Sequence, residues 1–144
     1  MPQLLFQILV SLGMAMLCVA IHGAGLFSLS RALRSETATE RLQHIDPLSL
    51  RGAIFTLSIV LAMFMLHGLE ILAFATAFWA LGAVPGFEDA FYYSTISYST
   101  VGYHDTHMAA DWRLLGAFES VLGIFLIGWS TAFFLVVLGR IEAH

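Results

Sequence analysis

Three apolar stretches decide what this chain can become. Residues 4–29, 52–81 and 112–139 each run with almost no charge for longer than a soluble domain can bury. A helix of about 20 apolar residues crosses the roughly 30 Å hydrocarbon core of a bilayer. Lipid offers no partner to a backbone N–H or C=O, so such runs must close their hydrogen bonds internally, as helices do. With 59% hydrophobic and 11% charged residues the chain has no composition for a soluble domain. The fold class expected is an all-α membrane protein with three transmembrane helices in a single membrane domain. A cleaved signal peptide is the alternative for the first run. However, Met1-Pro2-Gln3 carries no positive charge and no small-x-small site precedes the next loop.

The charges sit in loops and at ends. Residues 30–51 hold Arg31, Arg34, Arg41 and Arg51, four of the six basic residues in a chain without lysine. The positive-inside rule places that loop in the cytoplasm, the N-terminus outside and the C-terminus inside. Within it, Thr37 to Arg41 is expected as a short surface helix and Asp46-Pro47 as a turn. The net charge of −4 includes no basic patch, so no nucleic acid is expected as a partner. Cys18, the only cysteine, lies in an apolar run and can form neither an internal disulfide nor a thiolate cluster. It reads as a small packing residue.

Between the second and third runs lies a segment, 87–105, too short and too polar to span. It must enter and leave the bilayer from the outer side after the compact turn at 82–86. Glu88 and Asp89 fall in the first turn of a helix expected to reach about Tyr98, where the dipole favours negative charge. After it comes Thr100-Val101-Gly102-Tyr103-His104-Asp105. Irregular backbone at membrane depth is tolerated only where protein buries it or where it lines a water-filled path. Carbonyl oxygens at a pore axis can replace the hydration shell of a monovalent cation without the trapping strength of full charges. The Thr100 hydroxyl adds an oxygen at the inner end, and Gly102 allows a left-handed backbone. One chain cannot encircle an ion, so closed rotational symmetry is required. An ordinary strand or turn is the plain reading of Thr-Val-Gly-Tyr alone.

Residues 100–105 resemble the TVGYGD filter of the potassium-channel superfamily, matching at five of six positions. Phe87-Glu88-Asp89-Ala90-Phe91 is similar to the start of that family's pore helix, and Trp112-Arg113-Leu114-Leu115-Gly116 to the start of its inner helix. The resemblance implies a homotetramer in the lipid bilayer that conducts potassium passively, with Thr100, Val101, Gly102, Tyr103 and His104 as the ion-binding filter. It implies no catalysis, no cofactor beyond the permeant potassium ion, and no soluble partner. A bacterial inner membrane is the expected location. Tyr92 and Tyr93 stand where many relatives have tryptophan and are expected to support the filter, with Asp105. Aligned from Arg113, Gly123 falls on the inner-helix gating hinge, and Ile127 and Thr131 face the cavity. His104 replaces the second filter glycine. The alternatives are therefore a weakly selective monovalent cation channel, or a non-conducting regulatory or structural membrane subunit.

Some polar residues lie where a span should hold none without reason. His67 and Glu70, three apart in the second run, are either a proton-sensitive or metal-binding pair or a structural contact to the pore helix. The favoured reading is a contact to the hydroxyls of Ser94, Thr95 and Ser97. His22 reads as a packing histidine, although with His67 and Glu70 it would make the core of an intramembrane metal enzyme, the remaining rival. Glu119 is expected to support the filter from behind. Gly116, Ser120 and Gly123 form a small-residue stripe for close helix packing. The first run lacks the spaced arginines of a voltage sensor. A sequence reaching only His144 leads one to expect no cytoplasmic ligand-binding domain. The first run is expected to pack on the second and cover His67.

Overall fold

The computed structural model describes residues 2–34, 49–102 and 108–142. The surface helix and turn expected at 37–47 lie outside these. Helix α1 spans Pro2–Leu33, α2 Leu50–Ala80, α3 Phe87–Tyr98 and α4 Arg113–Glu142, with a single 3-10 turn at Ala110–Trp112 leading into α4. Among the described residues there is no strand, and three helices are long and apolar enough to cross a membrane. α3 is the short re-entrant helix held between the last two.

Local chemistry sets the ends that matter for the site. Ser49 caps α2, its hydroxyl accepting from the Gly52 amide at 3.1 Å. At the other end Gly82, at φ +65°, turns the chain left-handed. The Gly82 amide then donates to the Trp79 carbonyl and the Ala83 amide to that of Phe78. That pair of bonds stops the helix sharply and satisfies its last carbonyls. The chain reverses within a few residues, so α3 starts directly beside the end of α2. The Ala109 amide donates to the Ala83 carbonyl at 2.9 Å, stitching the returning loop to this turn.

α2 and α4 both pack on α3, and α1 lies against α2 and α4 together rather than on α2 alone. The buried positions of α4 are Leu115, Gly116, Glu119, Gly123, Leu126, Ser130 and Val137, which from Gly116 onward recur every one to two helical turns along a single face. α1 buries Ser11, Cys18, His22 and Leu26 at the same spacing. At Gly25 a β-carbon would stand 2.6 Å from a Leu66 methyl, so α1 and α2 approach closely there. One apolar cluster, including Phe74, Phe78, Leu115 and Leu126, surrounds α3, and a second of Ile59, Met63 and Val137 lies nearer the start of α2 and the end of α4. A layer of polar side chains occupies the helix positions between them.

Candidate functional site: the pore loop and its polar anchor

The segment after α3 is where backbone geometry departs from the ordinary. Thr100 has φ 62° and Gly102 φ 55°, while Val101 between them does not share the positive sign. Alternating handedness of this kind turns successive peptide groups toward a common side. Glycine accepts such a conformation freely, but a β-branched residue does so only at a cost of about 1–3 kcal/mol. The Thr100 amide donates to the Ser97 carbonyl at 2.9 Å and the Gly102 amide to that of Ile96 at 3.0 Å. The amides of the loop are thus spent on the end of α3. No backbone donor among the described residues reaches the carbonyls of Thr100, Val101 or Gly102. Val101 is 47% exposed in the single chain. Tyr103, His104 and Asp105 lie outside the described residues.

α3 is held by its buried face. The Ser94 hydroxyl lies 2.9 Å from the Ile71 carbonyl of α2 and 2.5 Å from Oε1 of Glu119 on α4, within hydrogen-bond reach of both. Glu119 is fully buried, and its Oε2 has no hydrogen-bond partner among the described residues. Ser97 donates to the Gly116 carbonyl at 2.8 Å and lies 3.0 Å from the Ser120 hydroxyl. A β-carbon on Gly123 would collide with the backbone carbonyl of Tyr98, and one on Gly116 with the Tyr93 hydroxyl. The small residues of α4 therefore seat the last turn of α3. α4 runs unbroken through Gly123. Tyr93 is half-buried with its ring edge-on to Phe78 at 5.2 Å, whereas Tyr92 is exposed in the single chain. Ile127 and Thr131 are exposed too. A cleft of about 230 Å³ opens beside Gly102, walled by Tyr93, Ser97 and Ser120 among others.

Tyr98, the last residue of α3, is the centre of a buried polar network. Its hydroxyl donates to Glu70 Oε2 and lies 2.8 Å from His67 Nδ1. Glu70 Oε1 meets His22 Nδ1 at 2.8 Å, and the other His22 ring nitrogen lies 3.3 Å from the Ser130 hydroxyl. Ser130, His22, Glu70 and Tyr98 therefore join α4, α1, α2 and α3 in one chain of contacts. The His22 and His67 rings stand 5.3 Å apart, and His67 keeps 17% of its side chain exposed.

This differs from the sequence expectation in its partners. His67 and Glu70 contact α3 through Tyr98; Ser94 and Ser97 turn instead to α2 and α4, and Thr95 returns its hydroxyl to the Phe91 carbonyl of its own helix. Tyr98 carried no sequence signal beyond its position at the helix end. His22 is not a lone packing residue but the link from α1 to Glu70. The donor atoms of His22, His67 and Glu70 all lie within 4.8 Å of one another, close enough to surround a metal ion.

A family model described as "Ion channel" matches residues 54–140, more than half of the chain. The match takes in α2, α3, the loop after it and nearly all of α4, and leaves α1 outside. Neither the search of curated proteins nor that of solved structures returned a match. The matched part carries the geometry just described, a re-entrant helix whose end presents irregular backbone between two spanning helices. Membership points to transport rather than catalysis. The chain is an integral membrane protein of the ion-channel family, with a potassium-channel-type pore module.

Proposed function

We propose that the protein conducts potassium passively as a homotetramer. The carbonyls of Thr100, Val101, Gly102 and Tyr103, with the Thr100 hydroxyl, replace the ion's hydration shell. The observation that carries this reading is the pair of left-handed residues, Thr100 and Gly102, set just past the buried last turn of α3, whose carbonyls take the loop's own amides. Loop carbonyls that no backbone donor among the described residues reaches suit ion contact. The C-terminal end of α3, with its partial negative charge, adds cation attraction. Glu119 and Tyr93 support the loop from behind, Gly123 serves as the hinge of the inner helix, and Ile127 and Thr131 line the cavity. Tyr92, His104 and Asp105 complete the outer mouth. The arginine-rich loop is cytoplasmic, in a bacterial inner membrane, and no catalytic step is involved.

His104, in place of the second filter glycine, favours a second reading of the same pore: a channel that passes sodium nearly as well as potassium. Flux into liposomes containing the purified protein decides between them. Potassium-driven uptake at least tenfold above sodium-driven uptake is expected. Equal rates would establish the weakly selective pore, and no flux of either ion would overturn conduction.

A further inference from the structure

The polar network at Tyr98 has the composition of a metal site. We propose that His22, His67 and Glu70 bind one divalent transition-metal ion of the zinc class per subunit, with the Tyr98 hydroxyl as a further donor. Two imidazoles and a carboxylate are a donor set for zinc, cobalt or nickel, and not for potassium, calcium or magnesium, which take oxygen ligands. Metal–donor bonds of about 2.1 Å in a tetrahedron put donor atoms roughly 3.4 Å apart. The spacings here are 2.8 Å for His22 Nδ1 to Glu70 Oε1, 3.3 Å for His67 Nδ1 to Glu70 Oε2, and 2.8 Å for His67 Nδ1 to the Tyr98 hydroxyl. The donors need only small side-chain shifts to face a common centre.

Two further features fit. Ligating histidines characteristically give their second ring nitrogen to a polar partner that fixes the ring. His22 is placed to do this: once Nδ1 holds the ion, Nε2 carries the proton and faces the Ser130 hydroxyl at 3.3 Å. Charge balances as well, which a low-dielectric site requires. A divalent ion is offset by the Glu70 carboxylate and by a Tyr98 phenolate, the phenol proton leaving to water as the metal enters while both imidazoles stay neutral, each carrying its proton on Nε2. Partial exposure of His67 leaves one side of the cluster open. Because His22 lies on α1, outside the part of the chain that matches the ion-channel family, the bound ion would fasten an added helix to the residue from which the pore loop hangs.

The test uses the full chain without a polyhistidine tag, purified in detergent, stripped with chelator and titrated with Co²⁺ as a spectroscopic probe and Zn²⁺ as competitor. One ion per subunit is expected, with the visible absorption bands of histidine-ligated cobalt, displaced by zinc. His67→Ala should weaken binding at least tenfold. Ser130→Ala, which leaves every ligand in place, should weaken it about tenfold or more. His107→Ala, a change in the segment between the filter and α4, should bind as before, which separates this site from a histidine elsewhere in the chain. Absence of stoichiometric cobalt binding by the unaltered protein would show the network to be hydrogen-bonded only and overturn the proposal. Full binding by the His67→Ala variant would overturn it equally. Neither measurement depends on ion flux, so it stands or fails separately from conduction.

Discussion

At Gly123 a single missing methyl group decides how α3 meets α4. A β-carbon there would run into the Tyr98 carbonyl, and backbone at a helix end has little room to give. Gly123→Ala is therefore expected to cost about 1–3 kcal/mol, as overpacking of a tight interior does, and to lower ion flux by shifting the turn that carries Thr100. Gly116→Ala meets only the hydroxyl end of Tyr93, which can swing aside, and should cost less. Thermal unfolding of the two variants side by side checks the order; a larger loss for Gly116→Ala would contradict it. A second prediction falls on His104, outside the described residues. Protonated side chains at the outer mouth of a cation pore repel its ions, and histidine charges in the physiological range, near pH 6.5. Inward current is expected to fall as external pH drops below about 6. His104→Gly should remove much of that response and raise potassium over sodium selectivity, both read from flux across a pH series. Thr100 marks where residue-level reading stops short. Glycine announces a left-handed backbone in a sequence, but a threonine held at positive φ does not, because only the surrounding packing forces it there.

At the level of helices, the three spans and the re-entrant segment were legible because length and apolarity alone specify them. The packing of α1 on α2 beside His67 was legible as well, whereas its contact with α4 and the face it buries were not. α1 is apolar on every side, so no pattern along it told which face is buried, and its contact with Glu70 joins residues 48 apart in the chain. The consequence is a joint whose strength can be measured. Removing the His22 ring leaves a fully buried Glu70 oxygen without its partner, which should cost about 1–3 kcal/mol. Glu70→Gln removes the carboxylate from the same contact and also disturbs Tyr98. In a double-variant cycle of His22→Ala with Glu70→Gln, the losses should fail to add, with a coupling of about 0.5–3 kcal/mol. Additive losses in detergent melts would mean that α1 rests on the bundle through apolar packing alone. The serines of α3 teach the same lesson, since a hydroxyl can be listed as available from sequence while its partner depends on the turn of a helix. Ser94 and Ser97 bind α2 and α4, and the contact expected of them belongs to Tyr98.

For the whole molecule, the surface of one chain divides into a part that suits lipid and a part that does not. Much of it suits lipid: Phe64, Met65, Ile124 and Phe125 are exposed and apolar. The loop at Thr100, Val101 and Gly102 does not suit lipid, because exposed carbonyls in hydrocarbon cost several kcal/mol each, in the range of about 4–8 kcal/mol for an amide moved to an alkane. Water alone could satisfy them, but water reaches that depth only through a cavity that protein encloses. On the proposed reading, the cleft beside Gly102 and the exposed Ile127 and Thr131 on α4 are the surfaces that further copies would cover to make that cavity. The proposed pore therefore calls for closed symmetry, since an incomplete ring would leave loop backbone facing lipid. Native mass measurement in mild detergent is expected to give four copies of the 15.8 kDa chain. Gly102→Ala should weaken the assembly as well as conduction, because it strains the left-handed position at the common axis. A chain that stayed monomeric or dimeric across detergents would have no shielded path for an ion, and the pore reading would have to be abandoned even if the helices kept their places.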